Sequence, residues 1–171
     1  MSLKKIIKLL ATPGEEVTSI YDIDLFALRS KGKRNLFVDL DNTLVSFEEK
    51  VPSLRCVHWV DFAKELGFFV CITSNNRNPK RVKKVADALN VHTMYYALKP
   101  ITWSLEEMMN IFNLKREDSV VIGDQVLNDV VLGNWLDIYT ILVKPVSLEY
   151  LPFKTYQYKL ERKILNLVSS W

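Results

Sequence analysis

Short apolar runs alternate along this chain with longer segments in which apolar residues recur every three or four positions. The runs, rich in β-branched and aromatic side chains, fall at 36–39, 68–73, 92–96, 119–122 and 138–143, each of strand length. Between the first four lie Val57, Val60, Ala63 and Leu66, then Val82, Val85, Ala86 and Leu89, then Leu105, Met108, Met109 and Phe112. Such spacing places apolar side chains on one helix face. Strands that are apolar throughout need cover on both sides, so the alternation predicts an α/β fold: a mainly parallel sheet in a Rossmann-like three-layer α/β/α sandwich. Pro52 and Pro79 stand where helices would begin, and Gly67 and Asn90 where helices would end.

The two ends of the chain carry a different pattern. Leu3, Ile6, Ile7 and Leu10 share one helical face opposite Lys4, Lys5 and Lys8; Leu160, Ile164, Leu167, Val168 and Trp171 share another opposite Lys159, Arg162 and Lys163. Basic amphipathic helices of this kind pack on a protein's own sheet or lie in an anionic membrane surface, and amphipathicity alone does not choose between these.

Charge follows the same division. Residues 1–34 set seven basic side chains against four acidic, and residues 144–171 set five against two, within a formal net charge of +3. That excess is too small to imply a nucleic-acid partner. A length of 171 residues suits one domain, 1–171, with an N-terminal basic extension (1–33), a core (34–145) and a C-terminal basic segment (146–171). Cys56 and Cys71 lack C-x-x-C spacing, and with only two histidines they make no zinc site. No apolar stretch reaches membrane-spanning length, and Lys8 and Pro13 interrupt the first run before a signal-peptide core forms. A cytoplasmic compartment is expected, with peripheral contact at the inner membrane face if the terminal helices bind lipid.

Candidate chemistry sits at the ends of the apolar runs. Residues 36–44 end in Asp39, Asp41 and Thr43 at alternate positions. Side chains two apart on a strand share a face, and two crowded carboxylates call for a hard divalent cation; a polar turn capping the strand is the alternative. The second run enters Ser74-Asn75-Asn76-Arg77, where a hydroxyl and a helix start suit phosphate oxygens or simply an N-cap. Lys99, before Pro100, would neutralise carboxylates and phosphate if it faced inward, or lie solvated if it did not. The fourth run ends in Gly123-Asp124, where glycine permits close approach and Asp124 adds an acid ligand. Asp129 follows as a further ligand or as a helix-start charge. In open parallel sheets, ligands bind beyond these carboxyl ends.

In order and placement these residues resemble the four motifs of the haloacid dehalogenase (HAD) superfamily: Asp39-Leu40-Asp41-Asn42-Thr43, Ser74-Asn75, Lys99, and Gly123-Asp124 through Asp129. The combination with Thr73-Ser74-Asn75-Asn76, Lys99-Pro100, Gly123 to Asp129 and Tyr139 to Val143 is similar to the YqeG family of subfamily IIIA. That family is related to organellar phosphatidylglycerophosphate phosphatases. The resemblance implies Asp39 as nucleophile and Asp41 as general acid and base. It also implies Mg²⁺ held by Asp39, the Asp41 carbonyl and Asp124, with Asp129 as a ligand or ligand support. Ser74, Asn75 and Lys99 would bind the substrate phosphate, with Thr43 and Gly123 as structural support. The short intervals from Thr43 to Ser74 and from Asn75 to Lys99 leave no room for a substantial cap.

The expected activity is therefore a magnesium-dependent phosphatase acting on a phosphorylated substrate, with membrane phosphatidylglycerophosphate as the favoured phospholipid. Two alternatives stand beside it: a soluble phosphatase for a nucleotide, metabolite or phosphoprotein, and a HAD-fold adaptor for RNA or protein.

Overall fold

A computed structural model describes residues 2–147 and 152–170. Among these, six parallel strands form one sheet: β1 (Glu15–Val17), β2 (Asn35–Asp39), β3 (Phe69–Thr73), β4 (His92–Met94), β5 (Ser119–Gly123) and β6 (Tyr139–Val143). Their spatial order is β1-β6-β5-β2-β3-β4. β2 therefore lies between β3 and β5, with Asp39 beside Thr73 and Val38 beside Ile122. The five expected strands are present. β1 was not foreseen, because its Glu15-Glu16-Val17 has no apolar run to announce it and it occupies a sheet edge with one neighbour.

The helices are α1 (Leu3–Ala11), α2 (Leu25–Ser30), α3 (Leu54–Glu65), α4 (Pro79–Leu89), α5 (Trp103–Ile111), α6 (Val131–Trp135) and α7 (Pro152–Ser169). Local chemistry sets several ends. Ser53 caps α3 by accepting the Cys56 N–H, Asn78 caps α4 with Pro79 at its first position, and Asn90 closes α4 in the left-handed conformation at φ 49°. Gly67, at φ 78°, follows α3.

Strand side chains alternate between two cores. Leu36, Val38, Val70, Ile72, Val120 and Ile122 pack under α2, α3 and α4, while Phe37, Cys71 and Val121 pack under α5 and α6 with Leu105, Met109 and Leu132. This is the three-layer sandwich. α1 and α7 join the second layer, where Ala11, Leu165 and Val168 bury against Val126, Val130 and Leu142. The burial of α7 keeps Ile164 and Val168 of the face read from the sequence and corrects the rest. Leu160 and Leu167 are exposed, and Glu161, Leu165 and Val168 turn inward; Trp171 lies outside the described residues. On α1, likewise, Leu3 and Ile7 are exposed and Ala11 is buried. A helix in contact with two elements at once, as α1 is with α6 and α7, need not bury its most apolar stripe.

Candidate active site

The carboxyl ends of β2, β3 and β5 meet in a cleft of about 350 Å³ lined by Asp39, Asp41, Ser74, Asn75, Lys99 and Asp129, among others. Between Thr43 and Ser74 the chain holds α3, and between Asn75 and Lys99 it holds α4 and β4, so no covering module stands over this mouth among the described residues.

Asp39 ends β2, and the extended backbone does not continue to Asp41. The N–H groups of Thr43, Leu44 and Val45 all return to the Leu40 carbonyl at 3.4, 3.1 and 3.1 Å, with Asn42 left-handed at φ 67°. This turn gives the two acids different surroundings. Asp39 is buried, and its Oδ1 accepts from Lys99 Nζ at 2.6 Å. The Asp41 carboxylate is held by Arg81 Nη2, at 2.7 Å from Oδ1, and by Asn76 Nδ2, at 2.8 Å from Oδ2. Thr43, expected as structural support, is buried in the turn with its hydroxyl unpartnered.

Lys99 is inward and buried, not solvated. Its ammonium donates to Asp39, to Asp129 Oδ1 at 2.6 Å and to the Thr73 carbonyl at 3.0 Å, which uses all three N–H bonds. Burial alone would lower its pKa, but Asp129 and Asp39 outweigh that and raise it above the ordinary lysine value, so it stays charged. Asn75 positions it by bonding both the Lys99 N–H (2.8 Å) and the Lys99 carbonyl (2.9 Å). Ser74 is buried, and its Oγ accepts the Asn76 N–H at 3.0 Å.

Asp124 and Asp129 follow β5. Asp129 lies in a π-helical turn, Val126–Val130, and accepts the Gln125 N–H at 3.1 Å through Oδ2. Gly123 is required beneath it: a Cβ there would stand 2.1 Å from the Asp129 carboxyl carbon. Asp39, Asp124 and Asp129 each offer a buried carboxylate oxygen within 4.8 Å of the others. Burial raises the Asp39 pKa to about 7, Lys99 opposing the rise and Asp129 adding to it. Asp39 Oδ2 is buried with no hydrogen-bond partner, beside the carboxylates of Asp124 and Asp129. Hard oxygen donors in that condition fit Mg²⁺.

Three contributors escaped the sequence reading. Asn76, beside Ser74 and Asn75 in sequence, holds Asp41 Oδ2. Arg81 left no distinguishing signal, because Lys80 beside it in the first turn of α4 is an equally placed cation that stays exposed. Glu161 of α7 is buried, accepts the Val126 N–H at 2.8 Å, and ties the last helix to the turn carrying Asp129.

A HAD-hydrolase-like family model matches residues 97–145, which carry Lys99, Asp124 and Asp129. The chain is 37% identical over 154 residues to the probable phosphatase YqeG of Bacillus subtilis, covering 90% of this chain and 89% of that one. It belongs to the YqeG family of HAD-type phosphatases. It is also 24% identical over 168 residues to phosphatidylglycerophosphate phosphatase 1, chloroplastic/mitochondrial, of Arabidopsis thaliana, covering 93% of this chain and 47% of the relative. The chain thus spans about half of that longer protein. Among solved structures, it resembles 3-deoxy-D-manno-octulosonate 8-phosphate phosphatase from Moraxella catarrhalis, in complex with magnesium, phosphate and the sugar acid. The TM-score is 0.51 at 12% identity, covering 85% of this chain and 94% of that one, a likeness of fold.

Proposed function

We propose that this HAD-type phosphatase is magnesium-dependent, works through an aspartyl-phosphate on Asp39, and takes phosphatidylglycerophosphate at a membrane surface. The observation that carries the mechanism is the buried Asp39 carboxylate, held through one oxygen by Lys99 and unpartnered at the other, at the base of an open cleft.

Asp39 attacks phosphorus; the new Asp39–phosphorus bond forms as the bond to the leaving oxygen breaks. Asp41 donates its proton to that oxygen, then takes one from the water that attacks the acyl-phosphate and releases inorganic phosphate. Arg81 and Asn76 fix the direction of the Asp41 carboxylate throughout. Lys99 supplies fixed positive charge beside the transferring group, and Ser74 and Asn75 line the cleft where phosphate oxygens would sit. Asp39, Asp124 and Asp129 would hold Mg²⁺ with the Asp41 carbonyl, and the ion when bound offsets charge on the phosphoryl oxygens.

The lipid substrate is supported by the name of the plant relative and by the uncovered cleft, which suits a headgroup presented on a surface. Purified protein with Mg²⁺ is expected to release phosphate and to form a hydroxylamine-labile adduct that Asp39→Asn abolishes. Undiminished turnover in that variant rejects the nucleophile. Equal or better turnover of nucleotides, sugar phosphates or phosphopeptides than of phosphatidylglycerophosphate in mixed vesicles rejects the lipid.

A further inference from the structure

We infer that the corner of the molecule above β3 and β4 is a bilayer-docking face, which seats the cleft against anionic lipid; this rests on the membrane reading above and names the surface that performs it. Because β3 and β4 are parallel neighbours, the loops leaving them, 74–78 and 95–102, emerge side by side at the mouth of the cleft. Hydrogen bonds join them: Ala97 N–H to the Ser74 carbonyl at 3.0 Å, and the paired bonds between Asn75 and the Lys99 backbone.

On that shared frame the side chains divide by direction. Lys99 turns in to the carboxylates, while its neighbours stand outward: Leu98 is 52% exposed, Ile101 59% and Trp103 66%, with Tyr95 and Tyr96 exposed beside them. Tyr96 and Leu98 hold left-handed backbone angles, φ 56° and 55°, a conformation uncommon for bulky side chains and sustained only where the surroundings impose it. The frame displays a group of large apolar side chains to solvent beside the cleft. Aromatic rings with one apolar and one polar end, beside aliphatic tips, are the composition of groups that settle at a membrane interface.

Charge complements the surface. Arg77 and Lys80 are exposed at the β3 end of this corner, with Lys83 and Lys84 exposed further along α4; Arg81 and Lys99 are committed to Asp41, Asp39 and Asp129, and Glu106 and Glu107 follow Trp103 in α5. An anionic headgroup layer satisfies the basic rim, and the acyl boundary receives the apolar tips. The terminal helices commit Ala11, Leu165 and Val168 to the protein's own second layer, while Leu3 and Leu9 of α1 stay exposed on a separate surface.

The test uses the full chain, with vesicles of phosphatidylcholine alone or mixed with phosphatidylglycerol. Wild-type protein is expected to float with the anionic vesicles, and brominated acyl chains should quench its tryptophan fluorescence through Trp103. An Ile101→Ser/Trp103→Ser variant of unchanged melting temperature should partition about tenfold more weakly. Trp103→Phe alone should remove the quenching, while Trp135→Phe and a Leu3→Ser/Leu9→Ser variant leave flotation and quenching in place. The proposal is overturned if wild type stays with the unbound fraction, if the Ile101/Trp103 variant floats undiminished, or if the Leu3/Leu9 variant accounts for the loss. Self-association abolished by the same Ile101/Trp103 substitutions would assign the face to a second copy, and binding of RNA in place of vesicles would assign it to nucleic acid. Hydrolysis of p-nitrophenyl phosphate without flotation defeats the docking face and leaves the phosphatase. Flotation without hydrolysis of phosphatidylglycerophosphate defeats the lipid substrate and leaves the face.

Discussion

Arg81, from the first turn of α4, places its Nη2 at 2.7 Å from Asp41 Oδ1 and at 3.0 Å from the Ser46 carbonyl. It also donates to the Glu49 carbonyl. One guanidinium thus joins the proposed general acid to the loop that follows it, and the planar fork is suited to holding several oxygens at fixed angles. Arg81→Met is expected to lower kcat by roughly 10- to 100-fold with little change in KM, since it disorders a proton donor without removing a substrate contact. Arg81→Lys should recover part of the loss. Steady-state kinetics on a soluble phosphoester read this directly, and wild-type kcat in the methionine variant would show that the pair is structural only.

Gly123→Ala tests the close approach of Asp129. The added methyl carbon would meet the Asp129 carboxyl, so either the π-helical turn or β5 must move. A melting-temperature loss corresponding to about 1–3 kcal/mol and weakened Mg²⁺ binding are expected together. Calorimetric titration alongside thermal denaturation distinguishes this from simple overpacking, which would leave the affinity for Mg²⁺ unchanged.

The raised Asp39 pKa gives Mg²⁺ binding a pH dependence of definite sign. Below about 7 the carboxyl holds its proton in the folded protein, and the ion must displace it; above about 7 the ligand is already ionised. Affinity should therefore rise as pH increases from 6 to 8, with proton release on binding that is largest on the acid side. Titrations in two buffers of different ionisation enthalpy measure the released proton, and Asp39→Asn should remove it.

Glu161 anchors the turn after β5 through the Val126 N–H. Its pKa is raised by burial, although bonds from Gln157 and from the Val126 and Leu127 amides oppose the rise. Glu161→Leu leaves buried amides without an acceptor and is expected to cost about 1–3 kcal/mol, whereas Glu161→Gln retains an acceptor and costs less. Chemical denaturation orders the two variants, and equal stability would contradict the anchoring.

Burial pushes the Cys56 and Cys71 thiols up to about 12, so at pH 8 both are protonated and poor nucleophiles. A disulfide-exchange reagent should label neither until the protein is unfolded. Rapid labelling of folded protein would contradict this.

The amino-acid sequence by itself determined the parallel α/β alternation, five of the six strands, the helix boundaries at Pro79 and Asn90, and the strand-end positions of Asp39, Ser74 and Asp124. Those features are local, since burial on two faces and capping chemistry leave their periods and punctuation in adjacent residues. Only the tertiary structure decided that Lys99 faces inward, that the Asp41 carboxylate turns to Arg81 and Asn76, and that Asp129 packs over Gly123. It also decided which sides of α1 and α7 are buried. The inward turn of Lys99 onto Asp39 and Asp129 depends on strand order, because β2 lies between β3 and β5 and so brings residues 39, 73 and 123 into one neighbourhood. The partners of Arg81 and Glu161 lie tens of residues away along the chain, a separation at which hydrophobic periodicity carries no information.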